Sequence, residues 1–175
     1  MNKTRSLLDL PLISRLRRNH ALEHATMHVL GERYRGLRLV ARSSLWGFYI
    51  YGNVPTEAVI AAAQEGLQRL KAGQYHYAIH PNCGSNLVVA GVLAGLGAFV
   101  ALGGLAGRPR DRLQQLVRLP LAFTAATLGI VLAQPLGLAL QARVTTQPNV
   151  GSLHIVSVTQ EKQAALLAHY VRTED

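Results

Sequence analysis

Two long apolar runs without a charged residue constrain this chain most. Leu87–Gly107 holds 21 residues and Leu119–Ala142 holds 24. A helix needs about 20 mostly apolar residues to cross roughly 30 Å of hydrocarbon. Both runs qualify. Each is rich in Gly and Ala, and Gly91, Gly95 and Ala98 or Phe99 fall near a small-xxx-small spacing that lets helices approach closely in lipid. Gln134 and Pro135 interrupt the second run; a proline is tolerated in a membrane helix, where it can kink the axis. The competing reading is a helical hairpin buried in a water-soluble fold. A chain of 175 residues has little protein with which to cover two such helices on all sides. The sequence therefore reads as an integral membrane protein anchored by a two-helix hairpin.

The length suggests one folded unit. The net charge is +9 and the pI near 10.4. The basic residues cluster at Arg15, Arg17 and Arg18; at Arg33, Arg35, Arg38 and Arg42; and at Arg108, Arg110, Arg112 and Arg118. The last cluster lies between the apolar runs, as expected of charge placed against anionic lipid. Nucleic-acid binding would gather basic and aromatic readers on one element, and no such partner is expected. The single cysteine, Cys83, rules out an intramolecular disulfide. Lys3 and Arg5 precede a stretch too short, and too interrupted by Asp9 and Pro11, for a signal peptide.

Residues 1–18 form a basic amphipathic arm that could lie on a membrane surface or pack on its own domain. Ser14–Glu32 carries a helical apolar period. Leu37–Arg42 and Trp46–Tyr51 read as strands, Thr56–Lys71 as a helix stopped at Gly73, and Gln74–Ile79 as a third strand. After the hairpin, Leu153–Thr159 reads as a strand and Gln160–Val171 as a helix. The expected class is α+β, a small mixed sheet with two to three helices. The α/β domain takes residues 19–86 and 143–175 and is interrupted by a transmembrane hairpin over 87–142, with spans at 87–107 and 119–142.

Orientation is drawn two ways. The arginines of the connecting loop favour a cytoplasmic loop. A basic N-terminal domain without a signal peptide, carrying a lone thiol, favours a cytoplasmic domain. The second is preferred, at a bacterial inner membrane.

One segment can carry chemistry. Asn19-His20-Ala21-Leu22-Glu23-His24 contains H-x-x-E-H. Residues four apart share a helix face, so His20 and His24 can offer two imidazoles to one metal ion. Glu23 beside them can act as general base on a metal-bound water. His28 continues the row one turn on. A catalytic zinc takes three protein ligands and a water. The third ligand could be Glu57 or Glu65 on the second helix, or could come from Ile79-His80-Pro81-Asn82-Cys83-Gly84, where His80 and Cys83 are spaced H-x-x-C. Two histidines, a thiolate and a nearby glutamate make a ligand set like that of peptide deformylases. The bland alternative is histidines on a polar helix face and a buried, inert thiol.

The segments N-H-A-L-E-H-A-T at 19–26, W-G-F-Y-I-Y-G at 46–52 and I-H-P-N-C-G-S-N at 79–86, followed by the hairpin, resemble a family of small bacterial membrane proteins described only as a domain of unknown function. The resemblance covers most of the chain. It implies this architecture and no activity. The H-x-x-E-H segment alone is similar to inverted zinc metallopeptidases, but the chain is far shorter than these and lacks their large domains. The functional expectations are a zinc-dependent hydrolase at the membrane surface, using Glu23 with His20, His24 and either Cys83 or His80, or a non-catalytic metal-binding, assembly or adaptor protein. Its partners would be the bilayer and a membrane protein or a second copy.

Overall fold

The computed structural model describes residues 6–34, 36–104, 112–163 and 166–175. Lys3, Arg5, Arg35 and the loop arginines Arg108 and Arg110, on which part of the arm, charge and orientation expectations rest, lie outside the described residues. The chain divides into two compact units, one of residues 1–80 and 141–175, the other of residues 81–140.

The first unit is α+β. Helix α1 (Pro11–Arg33) is followed by strands β1 (Val40–Ser44) and β2 (Gly47–Tyr51), helix α2 (Thr56–Lys71) and, after the excursion through the second unit, strands β3 (His154–Gln163) and β4 (Leu166–Glu174). The sheet order is β1-β2-β4-β3. Every pairing is antiparallel, which narrows the expected mixed sheet to one type. Proline at the first position suits α1, because that residue's N–H would have no helical partner anyway. The start at Pro11 takes the second half of the expected arm into the helix.

Alternation along the central strands decides which face is dry. Phe48 and Ile50 on β2, opposite Val171 and His169 on β4, are fully buried, while the Tyr49 and Tyr170 rings meet on the other face, tilted, with centroids 4.5 Å apart. Helices α1 and α2 cover the dry face with Leu22, Val29, Leu30, Val59 and Leu70. Each such side chain contributes about 1.5–3 kcal/mol on leaving water. Gly66 lets the two helices meet, since a Cβ there would stand 3.0–3.1 Å from Ala25 and the amide of Thr26.

Asn19, fully buried on α1, ties the hairpin to the helix. Its Nδ2 donates to the carbonyls of Ser44 and Leu45, both at 3.0 Å, and its Oδ1 accepts from Thr173 Oγ1 at 2.6 Å. The turn thus falls at Leu45–Trp46, and β1 begins three residues later than its pattern suggests.

Two expectations fail. Gln74–Ile79 is not a strand: Tyr75–Ala78 forms a short 3-10 turn. The Gln160–Val171 helix is absent among the described residues, where 160–163 end β3 and 166–171 begin β4. Its composition favours helix, but β4 is a central strand held by ladders on both sides, and that non-local pairing outweighs local propensity. The basic cluster at 15–18 is also used internally. Arg17 donates to the carbonyls of Leu8, Arg143 and Thr146, Arg18 pairs with Asp175, and Arg15 lies over the Trp46 ring.

The second unit is a pair of helices, α3 (Gly84–Ala101) and α4 (Arg112–Leu140). Both are long and apolar enough to cross a membrane. Their outer surfaces present large apolar side chains such as Leu87, Val92, Phe99, Phe123 and Val131. They pack through glycine: a Cβ on Gly97 would lie 2.8 Å from Ala125 O, and one on Gly129 would lie 2.7 Å from the Leu93 backbone. Pro120 and Pro135 lie inside α4.

Candidate metal centre

The first unit gathers four imidazoles. His20, His24 and His28 stand at successive turns of α1, and His80 follows the 3-10 turn. Ring centroids are 4.3 Å apart for His20–His24, 5.8 Å for His24–His80 and 4.7 Å for His28–His80.

Each helix histidine rests one ring nitrogen on a backbone carbonyl. His20 Nδ1 lies 2.9 Å from Thr145 O, His24 Nδ1 2.7 Å from Ala78 O, and His28 Nε2 2.8 Å from Ile79 O. A carbonyl oxygen only accepts, so the facing nitrogen must carry the hydrogen. In the neutral ring the other nitrogen then presents its lone pair: Nε2 on His20 and His24, Nδ1 on His28. This is how metal-binding histidines are oriented, by a donor bond from the nitrogen that does not ligate. His24 is 2% exposed, and its Nε2 finds no hydrogen-bond partner among the described residues. An unpaired buried polar atom costs about 1–3 kcal/mol. A cation at that nitrogen would remove the penalty.

His80 is held through its backbone. Gln141, fully buried, accepts from the His80 N–H at 2.9 Å and donates to its carbonyl at 3.1 Å. Burial, with His28 and His24 nearby, lowers the His80 pKa to about 4, so this ring is neutral and ligand-competent at pH 7.

The other expected site residues fall as follows. Glu23 is buried between the two motif histidines in sequence, and its carboxylate accepts from Ser43 Oγ on β1. Glu65 is committed to Arg33 and Arg69, which corrects its candidacy as a third ligand. Glu57 is exposed in the first turn of α2. Cys83 belongs to the second unit, in the position before α3, where its Sγ accepts from Ser85 Oγ at 3.2 Å. Sequence reasoning missed Gln141, Thr145 and the Ala78–Ile79 carbonyls. Gln141 was counted with the apolar run, and a carbonyl that orients a ring leaves no trace in residue type.

An α+β unit carrying an oriented row of histidines, joined to a pair of apolar helices, is the class that fold and site define. The chain belongs to the family described as a domain of unknown function, DUF6391, whose profile matches residues 15–158. An uncharacterised protein of the cyanobacterium Picosynechococcus sp. is 36% identical over 140 residues, covering 75% of this chain and 65% of the relative. The match therefore spans just under two thirds of that protein's length. No solved structure matches the chain.

Proposed function

We propose that this is a membrane-anchored metal-binding protein in which His20 and His24, with either Cys83 or His80, hold a zinc-class divalent ion. The observation that carries the reading is the buried Nε2 of His24, which has no hydrogen-bond partner among the described residues, in a ring whose other nitrogen is fixed on Ala78 O. Neutral imidazoles suit zinc, copper, nickel or iron rather than magnesium or calcium. The membrane part rests on the length, composition and outward apolar side chains of α3 and α4, which lipid would cover. The soluble unit is read as cytoplasmic, at a bacterial inner membrane.

Hydrolysis is the chemistry that such an ion supports, by lowering the pKa of a bound water and polarising a carbonyl. Glu23 is the general base of this reading because H-x-x-E-H sets it beside both helix ligands. The substrate class would be an amide or ester presented at the bilayer surface. The alternative is the same ion held for assembly or transfer without turnover. Cys83 is a candidate anionic ligand, and its H-x-x-C spacing from His80 is one ground for it. A Cys83→Ser variant decides whether the thiol belongs to the ligand set.

The test is metal content of the detergent-purified full chain, set against His24→Ala. About one bound zinc-class ion in the wild type and none in the variant supports the reading. A wild type that takes up no ion from zinc, nickel or copper under these conditions ends it.

A further inference from the structure

We infer that the first unit makes a membrane contact of its own: the segment Leu7–Leu16, at the start of α1, lies in the interfacial layer of the bilayer with its leucines turned into lipid. This rests on reading α3 and α4 as spanning helices.

Leu7, Leu10, Leu12, Ile13 and Leu16 are all exposed, from 36% at Ile13 to 77% at Leu7. Apolar residues scattered singly on a surface need no explanation, but this many on one short stretch form a patch. The stretch is not a loose arm. A 3-10 turn at Leu7–Asp9 is capped by Ser6, whose hydroxyl accepts from the Leu8 N–H at 3.3 Å and whose own N–H donates to Asp9 at 3.2 Å.

One guanidinium fixes where the patch lies. Arg17 donates to Leu8 O at 3.3 Å, to Arg143 O at 3.2 Å and to Thr146 O at 2.9 Å. Ser14 Oγ donates to Gln147 Oε1 at 2.8 Å, and the Gln147 N–H donates to Arg17 O at 3.0 Å. The start of α1 is thus stapled to residues 143–147. Gln141–Thr145 continue α4 as a π-helical turn, so the apolar helix runs unbroken from Leu116 to Thr145. Arg143 is the first charged residue after the uncharged run Leu119–Ala142. In a spanning helix such an arginine lies at headgroup level, because its charge is costly any deeper. The bond from Arg17 to its carbonyl brings the first turns of α1 to the same level.

An interfacial helix buries its apolar side about 5–10 Å into the boundary between headgroups and acyl chains. The exposed ring of Trp46, with Arg15 lying over it, flanks the same turns of α1, and tryptophan is enriched in that layer. Leu12, Leu16, His20 and His24 follow one another at four-residue steps, each a neighbour of the next on the helix surface. The ridge therefore leads to the motif histidines, and a lipid-borne amide or ester would arrive along α1. That consequence, unlike the seat itself, depends on the metal reading.

The experiment places a single cysteine in the full chain, in a Cys83→Ser background, as Leu12→Cys, Leu16→Cys, Asn53→Cys or Val131→Cys. Asn53 is exposed after β2, and Val131 is exposed within α4. Each variant is labelled with an environment-sensitive fluorophore and reconstituted in vesicles of phosphatidylcholine and phosphatidylglycerol. Lipids with a nitroxide near the headgroup or deep in the acyl chain then report depth. The labels at Leu12 and Leu16 are expected to shift to the blue and be quenched by the shallow nitroxide, the label at Val131 by the deep one, and the label at Asn53 by neither. No quenching at Leu12 and Leu16 beside a quenched Val131 overturns the seat and leaves the spanning helices standing. A blue shift there without quenching means that protein, a second copy or a partner, covers the ridge, and overturns it too. Equal quenching at Asn53 overturns a seat confined to this ridge. No quenching at Val131 ends the spanning reading and the seat with it.

Discussion

The side-chain amide of Gln141 closes both backbone hydrogen bonds of His80, accepting from its N–H at 2.9 Å and donating to its carbonyl at 3.1 Å. The penultimate residue of the apolar run Leu119–Ala142 is thus the one that fixes the backbone of the loop histidine. A primary amide carries both a donor and an acceptor, and full burial makes the loss of either bond costly.

Gln141→Leu is expected to destabilise the fold by about 1–3 kcal/mol, since it strands both His80 backbone groups. Metal affinity should fall about 10–100-fold, the usual effect of losing a residue that orients a ligand. Thermal unfolding and zinc titration of the same detergent preparation measure both. A stability loss with unchanged affinity would remove Gln141 from the site.

His80 makes the metal-free protein sensitive to acid. Its pKa falls from 6.5 to about 4 through burial and the neighbouring His28 and His24. The unfolded chain then takes up a proton that the folded chain refuses between about pH 6.5 and 4. Stability is fully present above pH 6.5 and declines as pH falls through that window. His80→Asn should flatten the decline. Unfolding midpoints of chelator-stripped protein across this range check it, and equal slopes for both proteins would contradict it.

Glu23→Gln keeps an oxygen to accept from Ser43 Oγ, so the fold and the metal content should survive. Turnover of any ester or amide substrate should drop at least about 100-fold if Glu23 moves the proton. Undiminished turnover in the variant would exclude that role.

Asn19→Ala deletes three hydrogen bonds at a fully buried position, leaving the carbonyls of Ser44 and Leu45 and the Thr173 hydroxyl without this partner. A loss of about 3 kcal/mol is expected at about 1 kcal/mol per bond. Chemical unfolding should show it as a lower midpoint with an unchanged slope.

In the hairpin, Gly129→Val places a Cβ within 2.7 Å of the Leu93 backbone, so α3 and α4 must separate. Overpacking of this kind typically costs about 1–3 kcal/mol. Faster proteolysis of the variant in micelles is the expected readout, with Gly91→Val, where a Cβ meets nothing within 4 Å, as the matched control.

What was legible in the sequence is what depends on near neighbours. The two uncharged runs, the helical period of α1 and the i, i+4 spacing of His20 and His24 are local patterns, and the fold realises each of them. β2 was legible for the same reason, because its aromatic and β-branched residues alternate cleanly. The segment Gln160–Val171 was not. Its Glu, Lys, Gln, Ala and Leu residues favour helix, and it is pairing between the end of β3 and the start of β4, with β2 on the other side of β4, that makes its described residues strand. Nor was the 3-10 turn at Tyr75–Ala78, whose carbonyl at Ala78, with that of Ile79 after it, serves imidazoles instead of a ladder. The sequence by itself determined which residues could bind a metal. Which nitrogen each ring on α1 offers was decided by Thr145, Ala78 and Ile79, from 51 to 125 residues away along the chain. A hydrogen bond to a backbone carbonyl is indifferent to the identity of the residue that supplies it, so only the tertiary fold can specify it.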